Sequence, residues 1–365
     1  MTTQTLPISA EDLTVSLLAE LISEQHPGVI VEDFNIVKSL QYGDGMVSTA
    51  ARAILDLRYK EGTGKGLPTR VILKLAYDLA DLPWPLYANE VRFYKELRSE
   101  MEIEMPITLG AAYDHSSHRF LLLIEDLSVR GAEFPNVLRD NTLQEVKNIL
   151  QLLATIHAKY WQSPRFDSDL SDLETHVGGP LNDFLQGPAV SVINHEIATN
   201  PFKQELMHKL NKTSEQMLAG MQAMQKHQAS LPQTVLHGDT HIGNTYVLPD
   251  GSAGLLDLQL FVRGYCMHDV NYLITTALPV HLRREHEQSL LKYYLSELKA
   301  KGVENAPTFD DAWKEYKRTL IWGVYIGWMT CAEENYGWKI QTINLLRLTT
   351  AFDDHDTASL VDEIM

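Results

Sequence analysis

The chain has 365 residues, enough for two lobes with separate cores, and its 44% apolar and 22% charged content is ordinary for a globular enzyme. A formal net charge of −17 argues against nucleic acid or an anionic membrane surface as partner, and no apolar run approaches the ~20 residues that span a bilayer. Two cysteines, Cys266 and Cys331, are too few for a disulfide framework or a cysteine-based zinc site, and with no basic and apolar leader in residues 1–7 the cytoplasm is the expected compartment.

In chain order, residues 8–25 read as an amphipathic helix entered through Ser9, with Asp12 as first-turn acid. The pattern then turns to β. Phe34–Leu40, Val47–Tyr59 and Thr69–Tyr77 read as strands, separated by Gly43-Asp-Gly45 and Gly62-Thr-Gly-Lys-Gly66. The first glycine stretch fits either a phosphate-covering loop or a plain hairpin turn. The second fails as a P-loop, because Tyr59 and Gly66 stand where a glycine and a Ser or Thr are required, and reads as an exposed connection. A helix from Leu86 to about Arg98 follows, then strands near Ile107–Tyr113 and Arg119–Glu125.

From Asn141 onward helices dominate. Thr142-x-x-Glu145 is a capping-box signature, and Val146, Leu150, Leu153 and His157 share one face of the helix that it opens. Residues 178–188, rich in Gly and Pro, read as a surface loop or a flexible lid. Asn200-Pro201 is an N-cap followed by a first-turn proline, and Met217, Met221 and Met224 form a core stripe. Further helices are predicted near 268–278, 280–300, 309–333 and 338–361.

The chemistry concentrates in Val235-Leu-His-Gly-Asp-Thr-His-Ile-Gly-Asn244 and Gly254-Leu-Leu-Asp-Leu-Gln259. Asp239 and Asn244 stand five positions apart, and Asp257 follows thirteen later. Val235-Leu236 ends a short buried strand, Tyr246-Val-Leu begins another, Pro249-Asp-Gly-Ser is a tight turn, and Ala253–Leu258 is the returning strand. Such a hairpin brings Asp257 back beside Asn244, so the two share a hard cation such as Mg²⁺. The spacing fits a phosphotransfer loop in which Asp239 takes or orients the proton of an attacking hydroxyl. A rival reading makes His237, Asp239 and His241 the zinc ligands of a hydrolase, which leaves Asn244 and Asp257 without a role.

The run His237-Gly-Asp-x-His-x-x-Asn244 with Asp257 resembles the aminoglycoside-phosphotransferase and choline-kinase group. Ile124-Glu-Asp-Leu127, Ile156-His-Ala-Lys-Tyr-Trp161 and Asp257-Leu-Gln259 look most like its ecdysteroid-kinase-like branch. The resemblance implies an α+β, protein-kinase-like two-lobed fold. Residues 1–127 would form a small β-rich nucleotide-binding lobe with a leading helix; residues 128–365 would form a larger, mainly helical lobe carrying the catalytic loop and substrate pocket. It also implies an ATP- and Mg²⁺-dependent kinase acting on a hydroxyl of a small molecule, the alternative being a silent nucleotide-binding scaffold.

On the nucleotide side, Lys74 in Val71-Ile-Leu-Lys-Leu would meet the α- and β-phosphates and Glu90 would tether it, as against a plain edge-strand lysine and a solvated glutamate. Glu125, Asp126 and Leu127 are the hinge positions that would face adenine. Gly238 replaces the arginine that reads activation-loop phosphorylation in protein kinases, which implies a site assembled without that switch. Asp269, in Met267-His-Asp-Val-Asn271, reads as a cap of the next helix or a brace for the catalytic loop.

Overall fold

The computed structural model describes residues 5–40, 49–77 and 83–365, so the Gly43–Gly45 turn lies outside the described residues. Two compact units emerge: residues 1–133 with 248–250, and residues 134–247 with 251–365.

In the first unit, a helix α1 (Val15–Gln25) precedes a five-stranded sheet of β1 (Val31–Leu40), β2 (Ala51–Tyr59), β3 (Arg70–Leu75), β4 (Thr108–Asp114) and β5 (Arg119–Glu125), with α2 (Trp84–Arg92) between β3 and β4. The sheet order is β1-β2-β3-β5-β4 and every neighbouring pair is antiparallel. The helix expected over residues 8–25 is shorter than that, because two cap-type residues compete. Ser9 and Asp12 close only a single 3₁₀ turn, Ser9 donating to the Asp12 carboxylate through both N–H and Oγ, and the chain extends at Leu13. Thr14 then restarts the helix as a true N-cap, accepting from Leu17 N–H at 3.1 Å. The second expected helix starts at Trp84 and passes through a wider π turn, Phe93–Leu97, which sends Phe93, Tyr94 and Leu97 inward.

Leu17, Leu18, Leu21 and Ile22 of α1 are buried against Leu55, Leu73, Leu109 and Leu121 of the sheet. Gly110 on β4 makes this approach possible: a Cβ there would stand 3.0 Å from Leu21 Cβ and 3.3 Å from its carbonyl carbon. On α2, Tyr87 stacks on Phe120 of β5 at 4.3 Å and donates to Thr49 O, which locks the helix to the sheet.

The second unit is built from α3 (Leu143–Lys159), α4 (Pro180–Gln186), α5 (Pro188–Thr199), α6 (Pro201–Leu210), α7 (Ser214–Gln228), α8 (Met267–Ala277), α9 (Val280–Ala300), α10 (Phe309–Trp322), α11 (Glu333–Tyr336), α12 (Trp338–Asp354) and α13 (Thr357–Asp362). Four short strands, β6 (Thr234–Leu236), β7 (Thr245–Val247), β8 (Ala253–Leu255) and β9 (Val262–Gly264), pair as β6 with β9 and β7 with β8. The capping box at α3 is complete: Thr142 Oγ1 accepts from Glu145 N–H and the Glu145 carboxylate accepts from Thr142 N–H at 2.7 Å. Asn200 caps α6, its Oδ1 accepting from the N–H groups of Phe202 and Lys203. The Met217, Met221 and Met224 stripe is fully buried.

Three expectations change here. The Gly/Pro-rich stretch over 178–188 contains α4, because Pro180 and Pro188 occupy first-turn positions where a proline has no N–H to waste. The helix predicted over 309–333 ends as α10 at Trp322 and widens into a π turn, Gly323–Trp328. The helix predicted over 338–361 divides into α12 and α13 at Asp356, whose φ is +47°. No helix among the described residues is long and apolar enough to cross a membrane.

Replacing Gly110 by Ala pushes α1 off the sheet at its tightest contact. We expect a loss of about 1–3 kcal/mol in chemical denaturation; an unchanged midpoint would show that Leu21 yields without cost.

Candidate active site

The site is organised by α8, all eleven residues of which are buried although five of them, His268, Asp269, Asn271, Thr275 and Thr276, are polar. Buried polar groups demand partners, and three of these find them in the loop after β6. Asp269 takes the N–H of His237 on Oδ2 at 2.7 Å and the N–H of Gly238 on Oδ1 at 2.9 Å. Its backbone carbonyl accepts from Thr240 Oγ1 at 2.7 Å. Thr276 Oγ1 accepts from Ile242 N–H, and His268 Nε2 donates to Gly238 O. His157 on α3 completes the set: Tyr294 donates to its Nδ1 at 2.7 Å, which leaves Nε2 to donate to Asp269 at 3.1 Å. Burial alone would raise the Asp269 pKa, but the bond from His157 and the surrounding imidazoles hold it below the usual carboxylate value. Asp269 is therefore a brace for the loop and makes no side-chain cap to its own helix.

Gly238 shows why no arginine stands there. Its φ is +83°, and a Cβ would lie 1.8 Å from the carbonyl oxygen of Leu260. The loop then brings Asp239 and Asn244 together. Asn244 Nδ2 donates to both the backbone carbonyl and Oδ2 of Asp239, each at 2.9 Å. The β7–β8 hairpin pairs Thr245 with Leu255, and Leu256 N–H bonds Asn244 O at 2.8 Å, so Asp257 follows directly opposite. The returning strand stops at Leu255, short of the predicted Leu258, because Asp257 takes φ +61° and turns its residue out of the ladder. Burial, and then the neighbouring Asp257 carboxylate, push the Asp239 pKa up to about 8.

His237 has both ring nitrogens engaged: Nε2 donates to Leu256 O at 2.8 Å and Nδ1 accepts from Asp239 N–H at 3.2 Å. Burial holds its pKa below the ordinary histidine value. That geometry speaks against His237 as a zinc ligand, and among the described residues no group of three His, Cys, Asp or Glu side chains is placed to hold a metal.

In the first unit, Lys74 lies on β3 opposite Arg52 of β2 and Leu122 of β5. Its Nζ donates to both carboxylate oxygens of Glu90 on α2, at 2.6 and 2.7 Å, and both side chains are buried. This excludes the plain reading of an edge-strand lysine and a solvated glutamate. A buried lysine is tolerated only when paired in this way. At the end of β5, the Glu125 amide donates to Ile107 O and its carboxylate accepts from Ile107 N–H. The Asp126 amide donates to Arg70 O, and its side chain accepts from Ser128 N–H. The Leu127 carbonyl accepts from Ala132 N–H.

Several residues near Asp239 carried no signal in the sequence. Trp328 and Tyr336 contact His241 edge-on only because the π turn and α11 bring them there. Thr276 is unmarked in sequence because a threonine near a helix end is commonplace. Asp269 had a fainter sign, the run of polar residues in a segment otherwise fit for burial.

Residues 42–303 match the ecdysteroid kinase-like family. No curated protein matches the chain at a significant level. Among solved structures, a choline kinase from Cryptosporidium parvum Iowa II matches with a TM-score of 0.52 at 10% identity, over 96% of this chain and 97% of that one. A Plasmodium vivax ethanolamine kinase matches with a TM-score of 0.51 at 11% identity, over 88% of this chain and 83% of that one. Identities this low carry the fold alone, which is the α+β two-lobed fold of these kinases. With well over half of its length matched by the family, this chain belongs to the ecdysteroid kinase-like family.

Proposed function

We propose that the chain is an ATP- and Mg²⁺-dependent phosphotransferase that acts on a hydroxyl group of a small molecule. The observation that carries this reading is the joint seat of Asp239, Asn244 and Asp257, in which Asn244 Nδ2 grips Asp239 twice and the hairpin returns Asp257 opposite Asn244. Membership of a family named for kinase-like proteins, and a fold shared with a choline kinase and an ethanolamine kinase, support it.

In this reading Asp239 accepts or orients the proton of the acceptor hydroxyl. Asn244, its amide nitrogen committed to Asp239, offers its Oδ1 to a cation, and Asp257 offers a carboxylate. The donor set of amide and carboxylate oxygens fits Mg²⁺, and a carboxylate pair whose mutual repulsion raises a pKa is one that a cation relieves. When bound, Mg²⁺ supplies neutralisation of phosphate charge. Lys74, held by Glu90, contacts the α- and β-phosphates, and Glu125 to Leu127 face the adenine. Residues 1–127 serve as the nucleotide-binding lobe. The acceptor is a small alcohol, and the cytoplasm is the working compartment. Because the transferring phosphoryl is loosely bonded at the transition state, the residues act chiefly by positioning and charge.

Melting the protein with and without ATP and Mg²⁺ tests the reading first. A nucleotide held at about 100 times its Kd adds about 2.7 kcal/mol of stability. We expect a Mg²⁺-dependent rise in the wild type that Asp257→Ala removes. Asp239→Asn should keep that rise and lose at least ~100-fold in turnover; wild-type turnover in this variant would overturn the catalytic assignment.

A second outcome concerns pH. The Asp239 pKa is raised from 3.8 to about 8, so its contribution to stability is complete below about pH 4 and is lost as pH rises through 8. Asp239→Asn carries no such loss. Without metal, its melting temperature should gain on the wild type between pH 5 and 9, by the equivalent of about 1–2 kcal/mol. A quarter of the side chain meets solvent, which tempers the effect. A difference independent of pH would mean that Asp239 ionises normally.

A further inference from the structure

His241, two residues beyond Asp239, has one nitrogen committed and one turned toward Asp239. Nδ1 accepts from Gly243 N–H at 3.1 Å, which puts the ring proton on Nε2. The ring lies so close over Gly243 that a Cβ there would come within 2.9 Å of Cε1. Nε2 stands 3.9 Å from Asp239 Oδ2, too far for a direct hydrogen bond, and has no hydrogen-bond partner among the described residues. Burial drives the His241 pKa down to about 4, so the ring is a neutral single donor.

The ring cannot swing away. Tyr272, Trp328 and Tyr336 meet it at centroid distances of 6.1, 5.5 and 6.2 Å and interplanar angles of 77°, 73° and 83°. The segment that carries Trp328 and Tyr336 is itself tied down. The buried Lys203 Nζ donates to the carbonyls of Met329 at 2.9 Å and Cys331 at 2.7 Å, and Gln341 Nε2 donates to Cys331 O as well. A donor held this firmly, aimed at the space beside Asp239 Oδ2, is built to receive an oxygen atom.

We propose that His241 makes the second contact to the acceptor hydroxyl, its Nε2–H donating to the hydroxyl oxygen while the hydroxyl proton points at Asp239 Oδ2. An oxygen about 2.8 Å from each atom spans the 3.9 Å separation comfortably. One lone pair of that oxygen is held by His241 and the other is left for phosphorus. As the new oxygen–phosphorus bond forms, the bond from phosphorus to the ADP leaving oxygen breaks and the hydroxyl proton passes to Asp239. His241 gains and loses no proton and sets the angle of attack. This inference rests on the phosphotransferase reading above.

Two variants and two readouts test it. ¹⁵N-histidine NMR, assigned by comparison with His241→Gln, should show a neutral Nε2–H ring in the wild type from pH 6 to 8; an Nδ1–H ring overturns the proposal whatever the protein's activity. Phosphoryl transfer is then read as ADP formed from Mg²⁺ and ATP with a panel of primary and secondary alcohols, water serving as acceptor in their absence. His241→Leu, which keeps bulk but has no donor, should lose ~100-fold or more in kcat with its nucleotide-induced rise in melting temperature intact. His241→Gln, which keeps an N–H, should stay within ~10-fold of wild type. Equal damage in both variants, wild-type kcat in His241→Leu, or loss of the nucleotide-induced rise would each assign His241 to packing. A wild type that neither gains stability from Mg²⁺ and ATP nor forms ADP sinks the phosphotransferase reading, and this proposal falls with it, while the tautomer result stands separately.

Discussion

One buried carboxylate organises the catalytic loop. Asp269 receives two consecutive backbone N–H groups, and a carboxylate in a dry interior is tolerable only when its lone pairs are fully used. The constraint works in both directions. The loop cannot leave without stranding a charge, and α8 cannot move without stranding the loop's donors. His157, locked by Tyr294, supplies the third bond and extends the brace into α3 and α9. Position at Asp239 is therefore set by the core of the second unit and does not depend on the loop's own rigidity.

The other end of the loop is fixed by backbone geometry. Gly238 and Asp257 both sit at positive φ, and both mark points where the chain must change direction within one residue. Gly238 presses on the Leu260 carbonyl, which forbids any side chain. The missing arginine is thus a steric outcome as much as a chemical choice. Asp257 accepts left-handed strain that a glycine would avoid, which is what a position keeps when its side chain has work to do.

How much of this could be read from the residues depended on whether the governing interaction was local. Capping at Thr142 and Asn200 involves neighbours three positions apart and was legible. So were the five strands of the first sheet, whose apolar patterning is periodic, and the Asp239, Asn244 and Asp257 triplet, whose spacing encodes a hairpin. The division of the first helix at Thr14 was obscured because Ser9 and Thr14 are equally good caps. The α4 helix was hidden because proline begins helices as readily as it breaks them. The brace from Asp269 spans more than thirty residues, and the aromatic enclosure of His241 joins three elements distant in sequence; neither leaves a local pattern. Lys74 and Glu90, sixteen residues apart, were found by resemblance; only the folded chain shows them as a doubly bonded pair.

The π turn at Gly323–Trp328 carries a consequence for how such a site diverges. A π turn holds one residue more than the α-helix it interrupts, so deleting a single residue there would restore a regular helix and rotate everything beyond it by about 100°. Gly323 and Gly327 allow the widened turn to lie against Leu348 and Tyr272, where a Cβ would stand 2.8 and 2.5 Å from side-chain atoms. Trp328 would turn off His241 while Asp239, Asn244 and Asp257 stayed untouched. A one-residue length change, invisible to any comparison of catalytic motifs, is enough to remodel the surroundings of the reacting group and give a sister protein a different clientele.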